Sequence, residues 1–195
     1  MSNYVLSCCS TADLSKEHFE ERNIKYTCFK YYLDDVCYPD DLGQTIAFDK
    51  FYQMMVDGAD TKTSQINADE YITYFEPFLE EGKDLIHICL SSGISGAYNS
   101  AMIAKNELEE KYPDRKIYII DSMAASSGFG LLMDKAADLR DAGMTIDEER
   151  LQSVDFSDPY YDAIQYVIVP EGSSIQTAAD LEGKTIGVQL GTTGD

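Results

Sequence analysis

Short apolar runs alternate with amphipathic stretches along most of the chain. Tyr4 to Cys9 is apolar and is broken by Ser10-Thr11-Ala12-Asp13. Ser15 can cap a helix reaching about Asn23, and Lys25 to Leu33 reads as one β-rich run. A loop carrying Pro39, Asp40, Asp41 and Gly43 follows. Phe48, Phe51, Tyr52, Met55 and Val56 recur at helical spacing, which predicts a helix over 48–56 with Gly58 as its stop. Thr61 to Ile66 reads as a polar loop. Asn67 caps a helix reaching about Glu81, which Pro77 should kink or split. Asp84 to Leu90 is a strongly apolar strand, Ser91 to Gly96 a Gly/Ser loop, and Ala97 to Tyr112 a long helix. Lys116 to Ile120 and Ala124 to Ala142 repeat the strand–helix pair. Alternation of this kind predicts an α/β fold. The expected form is three-layered, α/β/α, around a mainly parallel sheet of five or six strands.

The texture changes near residue 150. Leu151 to Asp158 is polar and irregular, Gln165 to Val169 and Lys184 to Leu190 read as strands, and Thr177 to Glu182 as a short helical turn. Two segments are therefore expected, 1–149 and 150–195. The second would pack on the sheet of the first or extend it by adding strands.

Charge narrows the partners. The chain has 35 acidic and 15 basic side chains, for a net charge of -20. Such a balance excludes phosphate-neutralising nucleic-acid binding and charge-driven attachment to an anionic membrane. No apolar run is long enough to predict a membrane span. Cys8, Cys9, Cys28, Cys37 and Cys89 are odd in number and scattered, which fits buried reduced thiols and a cytoplasmic setting. A metal site would need a tighter cluster with histidine, and His18 and His87 are the only two. No metal and no cofactor are expected.

Candidate chemistry sits in loops. Ser10-Thr11-Ala12-Asp13, Ser91 to Gly96, and Asp121-Ser122 with Ser126-Ser127-Gly128 each follow a predicted strand, and Thr63-Ser64-Gln65 precedes a helix. In a parallel sheet such loops gather at the carboxyl edge, where ligands bind. Hydroxyls and helix N-termini there suit a carboxylate or phosphate. The same residues also serve simply to cap helices and turn the chain. For catalysis there is little. A nucleophile elbow and a phosphate-binding Gly-Lys loop are both absent from the sequence. His87 is expected to pack inside its apolar strand and His18 to be exposed, and no acidic pair is singled out by spacing. The chain reads as a non-enzyme.

Taken together, residues 1–149 resemble the N-terminal domain of the DegV family. The resemblance is carried by Ser10-Thr11-Ala12-Asp13-Leu14, Lys62-Thr63-Ser64-Gln65, Glu81-Gly82-Lys83-Asp84, Leu90 through Tyr98, and Ile120-Asp121-Ser122, in matching order and spacing. It implies a cofactor-free, fatty-acid-binding protein that presents its ligand to a fatty-acid kinase. The kinase, as partner, performs the chemistry. The resemblance places the ligand carboxylate at Thr63 and Ser95, with Ser64, Ser92 and Ser10 in support. An apolar tunnel for the acyl chain would include Ile94, Met102, Phe129 and Leu132, each equally explicable as core. Such proteins ordinarily carry a second α/β domain that covers the tunnel and supplies a His and an Arg near the head group.

Residues 150–195 resemble a different family, the type 2 periplasmic binding proteins for polar amino acids of ABC importers. The runs are Val154 through Tyr161, Asp180 through Gln189, and Gly191-Thr192-Thr193-Gly194. There Thr192 and Thr193 would be the remnant of an amino-acid carboxylate loop. Two such segments in one chain imply an engineered or recombined chimera. The leading expectation is a fatty-acid or lipid-binding module weakened by the missing cap. The alternatives are a fold chimera with no retained binding and a remnant amino-acid-binding lobe. An uncapped tunnel would also expose apolar surface and favour oligomers.

Overall fold

The computed structural model describes residues 4–148. The predicted strands around Val167 and Val188, and Thr192 and Thr193, lie outside the described residues. In chain order the elements are β1 (Tyr4–Cys9), a 3-10 turn (Ser10–Ala12), α1 (Lys16–Glu21), β2 (Lys25–Thr27), β3 (Lys30–Leu33) and β4 (Val36–Pro39). They continue with α2 (Phe48–Val56), β5 (Thr61–Ser64), α3 (Ala68–Glu80), β6 (Asp84–Cys89), α4 (Ala97–Lys111), β7 (Ile117–Asp121) and α5 (Ser126–Asp141).

Four strands form a wholly parallel sheet in the order β2-β1-β6-β7. Every residue of β1 is buried, as a strand covered on both faces must be. The alternation of side chains along the strands sorts the helices into two layers. Tyr71 and Phe75 of α3 meet the ring of His87 on one face. On the other face Phe19 of α1 stacks on Tyr26, which lies in register with Cys8. α4 joins α3, and α5 joins α1 through His18–Asp134 and Arg22–Asp138 contacts. The result is the expected α/β three-layer fold with a mainly parallel sheet.

The four strands predicted within residues 1–149 are all in this sheet, the further ones predicted after residue 150 lie outside the described residues, and the remaining strands form an unexpected second sheet. Among the described residues the parallel sheet has four strands, and β4-β3-β5 form a separate antiparallel sheet. The β-rich run from Lys25 to Leu33 is split: Cys28 and Phe29 carry the chain out of the first sheet and into the second. Phe29 N–H donates to Ser10 Oγ at 3.1 Å and fixes that exit. The loop expected around Pro39 begins as strand β4, and the polar loop expected at Thr61 is strand β5. A two-residue turn makes the β3–β4 hairpin possible, with Asp34 and Asp35 both left-handed at φ 48° and 68°.

Local signals explain the helix starts. Ser15 Oγ accepts the His18 N–H at 3.2 Å. Asn67 and Glu70 form a reciprocal capping box, each side chain accepting the other's N–H at 3.0 Å. Pro77 does not split α3. It lies in the last turn, where a missing N–H forfeits one bond, and its own carbonyl accepts the Glu81 N–H. His18 is half-buried rather than exposed, because its Nε2 lies 2.7 Å from Asp134 Oδ1.

Candidate functional site

Parallel strands end together. In register, Cys9 pairs with Thr27 and Cys89 with Asp121, so the segments beginning at Ser10, Leu90 and Ser122 emerge along one edge. The loops are tied to each other by backbone and carboxylate. Asp121 Oδ1 accepts the Ser92 and Met123 N–H groups at 3.1 and 3.0 Å. Ser91 N–H donates to the Ala124 carbonyl, and Ser122 N–H to the Cys89 carbonyl. Ser91 then closes its own loop: its Oγ accepts from Gly93, and its carbonyl accepts from Ile94 and Ser95. A helix start leaves its first N–H groups without intrahelical partners and carries partial positive charge. α4 starts here, just after Ser95 and Gly96.

The second sheet delivers the fourth segment. β5 ends at Ser64, and Gln65 reaches across to the start of α4. Its Oε1 accepts the Ser95 hydroxyl at 3.4 Å. Ser95 Oγ in turn accepts the Ala97 N–H at 3.2 Å. The structure therefore joins Gln65, next in the chain after Thr63 and Ser64, to Ser95, and ties Ser92 to Asp121. Thr63 and Ser92 are exposed, and among the described residues their hydroxyls take no protein partner. Ser64 Oγ makes a long bond, 3.4 Å, to the Gln65 carbonyl. Ser10 is different. It is fully buried, its oxygen accepts from Phe29, and its hydroxyl hydrogen-bonds Asp40. Burial pushes the Asp40 carboxyl above its ordinary value, and the Ser10 hydroxyl partly offsets that. Ser10 thus holds the loops rather than facing a ligand.

The four segments carry no Lys, Arg or His between Ser10 and Asp13, Thr63 and Ile66, Ser91 and Gly96, or Asp121 and Ala125. Lys62 precedes Thr63 but pairs with Asp60 and Asp35, which raise its pKa. Among the described residues these segments offer an anion hydroxyls and N–H dipoles, with no cationic side chain of their own.

The tunnel candidates scatter. Phe129 is fully buried core, Ile94 is exposed, and Met102 and Leu132 are half-buried within the first two turns of α4 and α5. Met123, 66% exposed in the third loop, was not anticipated and is more exposed than Ile94, at 45%. A cleft of about 790 Å³ lies at the opposite, amino end, where Tyr4 and Asp84 begin β1 and β6. It belongs to the structure rather than to this site. Its Arg140 is spent on the Arg22 and Asn23 carbonyls and on Asp141.

Beneath the loops, Ser7, Cys9, Tyr71 and His87 form a buried polar chain. Ser7 Oγ lies 2.6 Å from His87 Nδ1, and Cys9 Sγ 3.6 Å from His87 Nε2 and 3.3 Å from the Tyr71 hydroxyl. Hydrogen bonds, first from Cys89 and then from His87 and Tyr71, hold the Cys9 thiol well below its ordinary pKa. All five cysteines are free. Among the described residues no cluster of His, Cys, Asp and Glu is arranged to hold a metal.

The pattern of a family described as "Uncharacterised protein, DegV family" matches residues 9–157. The chain belongs to the DegV family. A DegV domain-containing protein of Clostridium perfringens is 36% identical over 148 residues, covering 76% of this chain and 51% of its own length. The chain thus spans about half the length of that relative. A stearic-acid-binding protein from Eubacterium ventriosum superposes with a TM-score of 0.71 at 30% identity, covering 77% of this chain and 52% of its own. The Fatty Acid Kinase (Fak) B3 protein of Streptococcus pneumoniae, solved with linoleic acid, gives 0.63 at 25% identity over 80% and 54%. The DegV match runs past residue 149, through the segment Val154 to Ser157 that was expected to belong to the other fragment. No helix among the described residues is long and apolar enough to cross a membrane.

Proposed function

We propose that the chain is a non-enzymatic fatty-acid-binding module whose head-group site is Thr63 and Ser95, with Ser64 and Ser92 beside them. The observation that carries this reading is the meeting of two remote segments. Gln65 fastens the segment that follows β5 to Ser95 at the start of α4, which supports a site shared by the Thr63–Gln65 segment and the N-terminus of that helix. Hydrogen bonds to an ionised carboxylate are stronger than neutral ones. Two relatives bind fatty acids, stearic and linoleic, which supports a carboxylate with a long acyl chain as ligand. Ile94 and Met123 at the rim, with Met102 and Leu132 behind them, supply apolar contact for the chain. A modest affinity is the expected outcome, because these four segments hold no cation to neutralise the head group. A fatty-acid kinase is the fitting partner, by analogy with the streptococcal relative.

Titration of the 195-residue chain with oleate, alongside native mass spectrometry of the purified protein, tests the reading. Binding is expected, and Thr63→Val and Ser95→Ala should each weaken it about tenfold or more, the worth of one hydrogen bond to a charged group. Lipid-free protein that gives no response to oleate would end this reading.

A further inference from the structure

A serine hydroxyl has one proton to donate. Ser95 donates its proton to Gln65 Oε1, while its oxygen accepts from Ala97. The group that a carboxylate would need as a donor is thus already engaged. The Gln65 amide also lies over Gly96. A Cβ there would come 2.8 Å from Oε1 and 3.0 Å from Nε2, so an alanine would push the amide aside. Among the described residues Nε2 has no protein partner. A half-turn about the last side-chain bond exchanges oxygen for nitrogen with little movement of heavy atoms, and such terminal torsions have broad wells. Nε2–H would then donate to Ser95 Oγ, and the serine proton would be released toward the loops.

We propose that Gln65 is a positioning residue that reverses the hydrogen-bond polarity of Ser95: its oxygen holds the serine proton, and its Nε2–H takes over when a ligand carboxylate claims that proton. The inference rests on the head-group reading above and adds a residue to it. Reversal favours a ligand that only accepts hydrogen bonds. Gln65→Glu fixes the side chain as an acceptor at neutral pH and adds a like charge, whereas Gln65→Ala merely frees the serine.

The test uses the full chain with oleate and with oleyl alcohol, a ligand of the same length without charge. Gln65→Glu should lose about tenfold or more in oleate affinity, a loss of the size of one charge-assisted hydrogen bond. It should lose far less for the alcohol, and its deficit against wild type should shrink as pH falls and the glutamate protonates. Gln65→Ala should lose less oleate affinity than Gln65→Glu, an order that a purely space-filling role would invert. Gly96→Ala should displace the amide and behave like Gln65→Ala. Equal oleate affinity for Gln65→Glu and wild type overturns the inference while leaving the head-group reading intact. So does an equal loss for acid and alcohol. A wild-type chain that binds neither ligand overturns both.

Discussion

The two sheets of this molecule follow opposite rules. In the parallel sheet β1 is buried at every residue and β6 at all but its first, and the helices over them bury large side chains, among them Tyr71, Phe75 and Leu79 of α3. In the antiparallel sheet β5 has no buried residue and β4 is almost wholly exposed. Nor does α2, from the same stretch of chain, bury any residue. The first sheet contains the stability. The second contributes Thr63 and Gln65 to the edge of the first. A rigid scaffold with an exposed appendage is a common division of labour, because the appendage can accept polar residues that a core could not.

The sharpest way to break this contrast is to delete an aromatic ring from one region and an apolar group from the other. Phe75→Ala removes a side chain with no exposed surface, next to Tyr71 and His87. It should cost about 3–5 kcal/mol in denaturant unfolding. Val56→Ala, at a position 80% exposed on α2, should stay within about 0.5 kcal/mol. Similar costs for the two would mean that both regions form one core. A smaller effect probes how tightly α5 closes on the loops. A Cβ at Gly130 would lie 2.6 Å from the Ala12 carbonyl oxygen, so Gly130→Ala should cost about 1–3 kcal/mol and lower the thermal midpoint. An unchanged midpoint would show the contact to be loose.

The smallest expected effect lies where the two sheets meet, at Asp40. Its pKa is raised by burial, so the native state binds more protons than the unfolded chain between the ordinary carboxylate value and the raised one. Stability from this group is therefore present at low pH and lost as pH rises through that window. Asp40→Asn should flatten the stability–pH curve there, and an unaltered slope would place the charge in water.

The same contrast decides how much could be read from sequence. β1, β6 and β7 are visible because a parallel strand under two helix layers must be continuously apolar. β5 is Thr-Lys-Thr-Ser, with no apolar alternation, and only its pairing with β3 makes it a strand. The hairpin before it turns on Asp34-Asp35 instead of the usual glycine-bearing pair, so the turn gave no signal. Residue type and position pointed to the Ser91–Gly96 loop only as one of four polar loops, since Gly and Ser there also cap a helix and turn the chain. Gln65 carried no such mark. An amide acts through its partner, and Ser95 lies 30 residues further along the chain. His18 was misread for the same reason, its partner Asp134 being 116 residues away.

The buried pair Ser7 and His87 has a consequence for how the chain finds its shape. The two lie opposite each other in the β1–β6 ladder yet stand 80 residues apart in sequence. Pairing over such a span is slow, because loop-closure entropy is lost before the contacts form, and a slip of register carries every side chain to a new partner. A slip of one residue would turn the imidazole to the other face, and a slip of two would set it beside Val5 or Cys9 without Ser7. Either loses the short bond to Ser7 in a buried strand, where an unpaired polar group is costly. The pair thus adds a polar preference for one alignment to a ladder whose apolar residues could otherwise trade places.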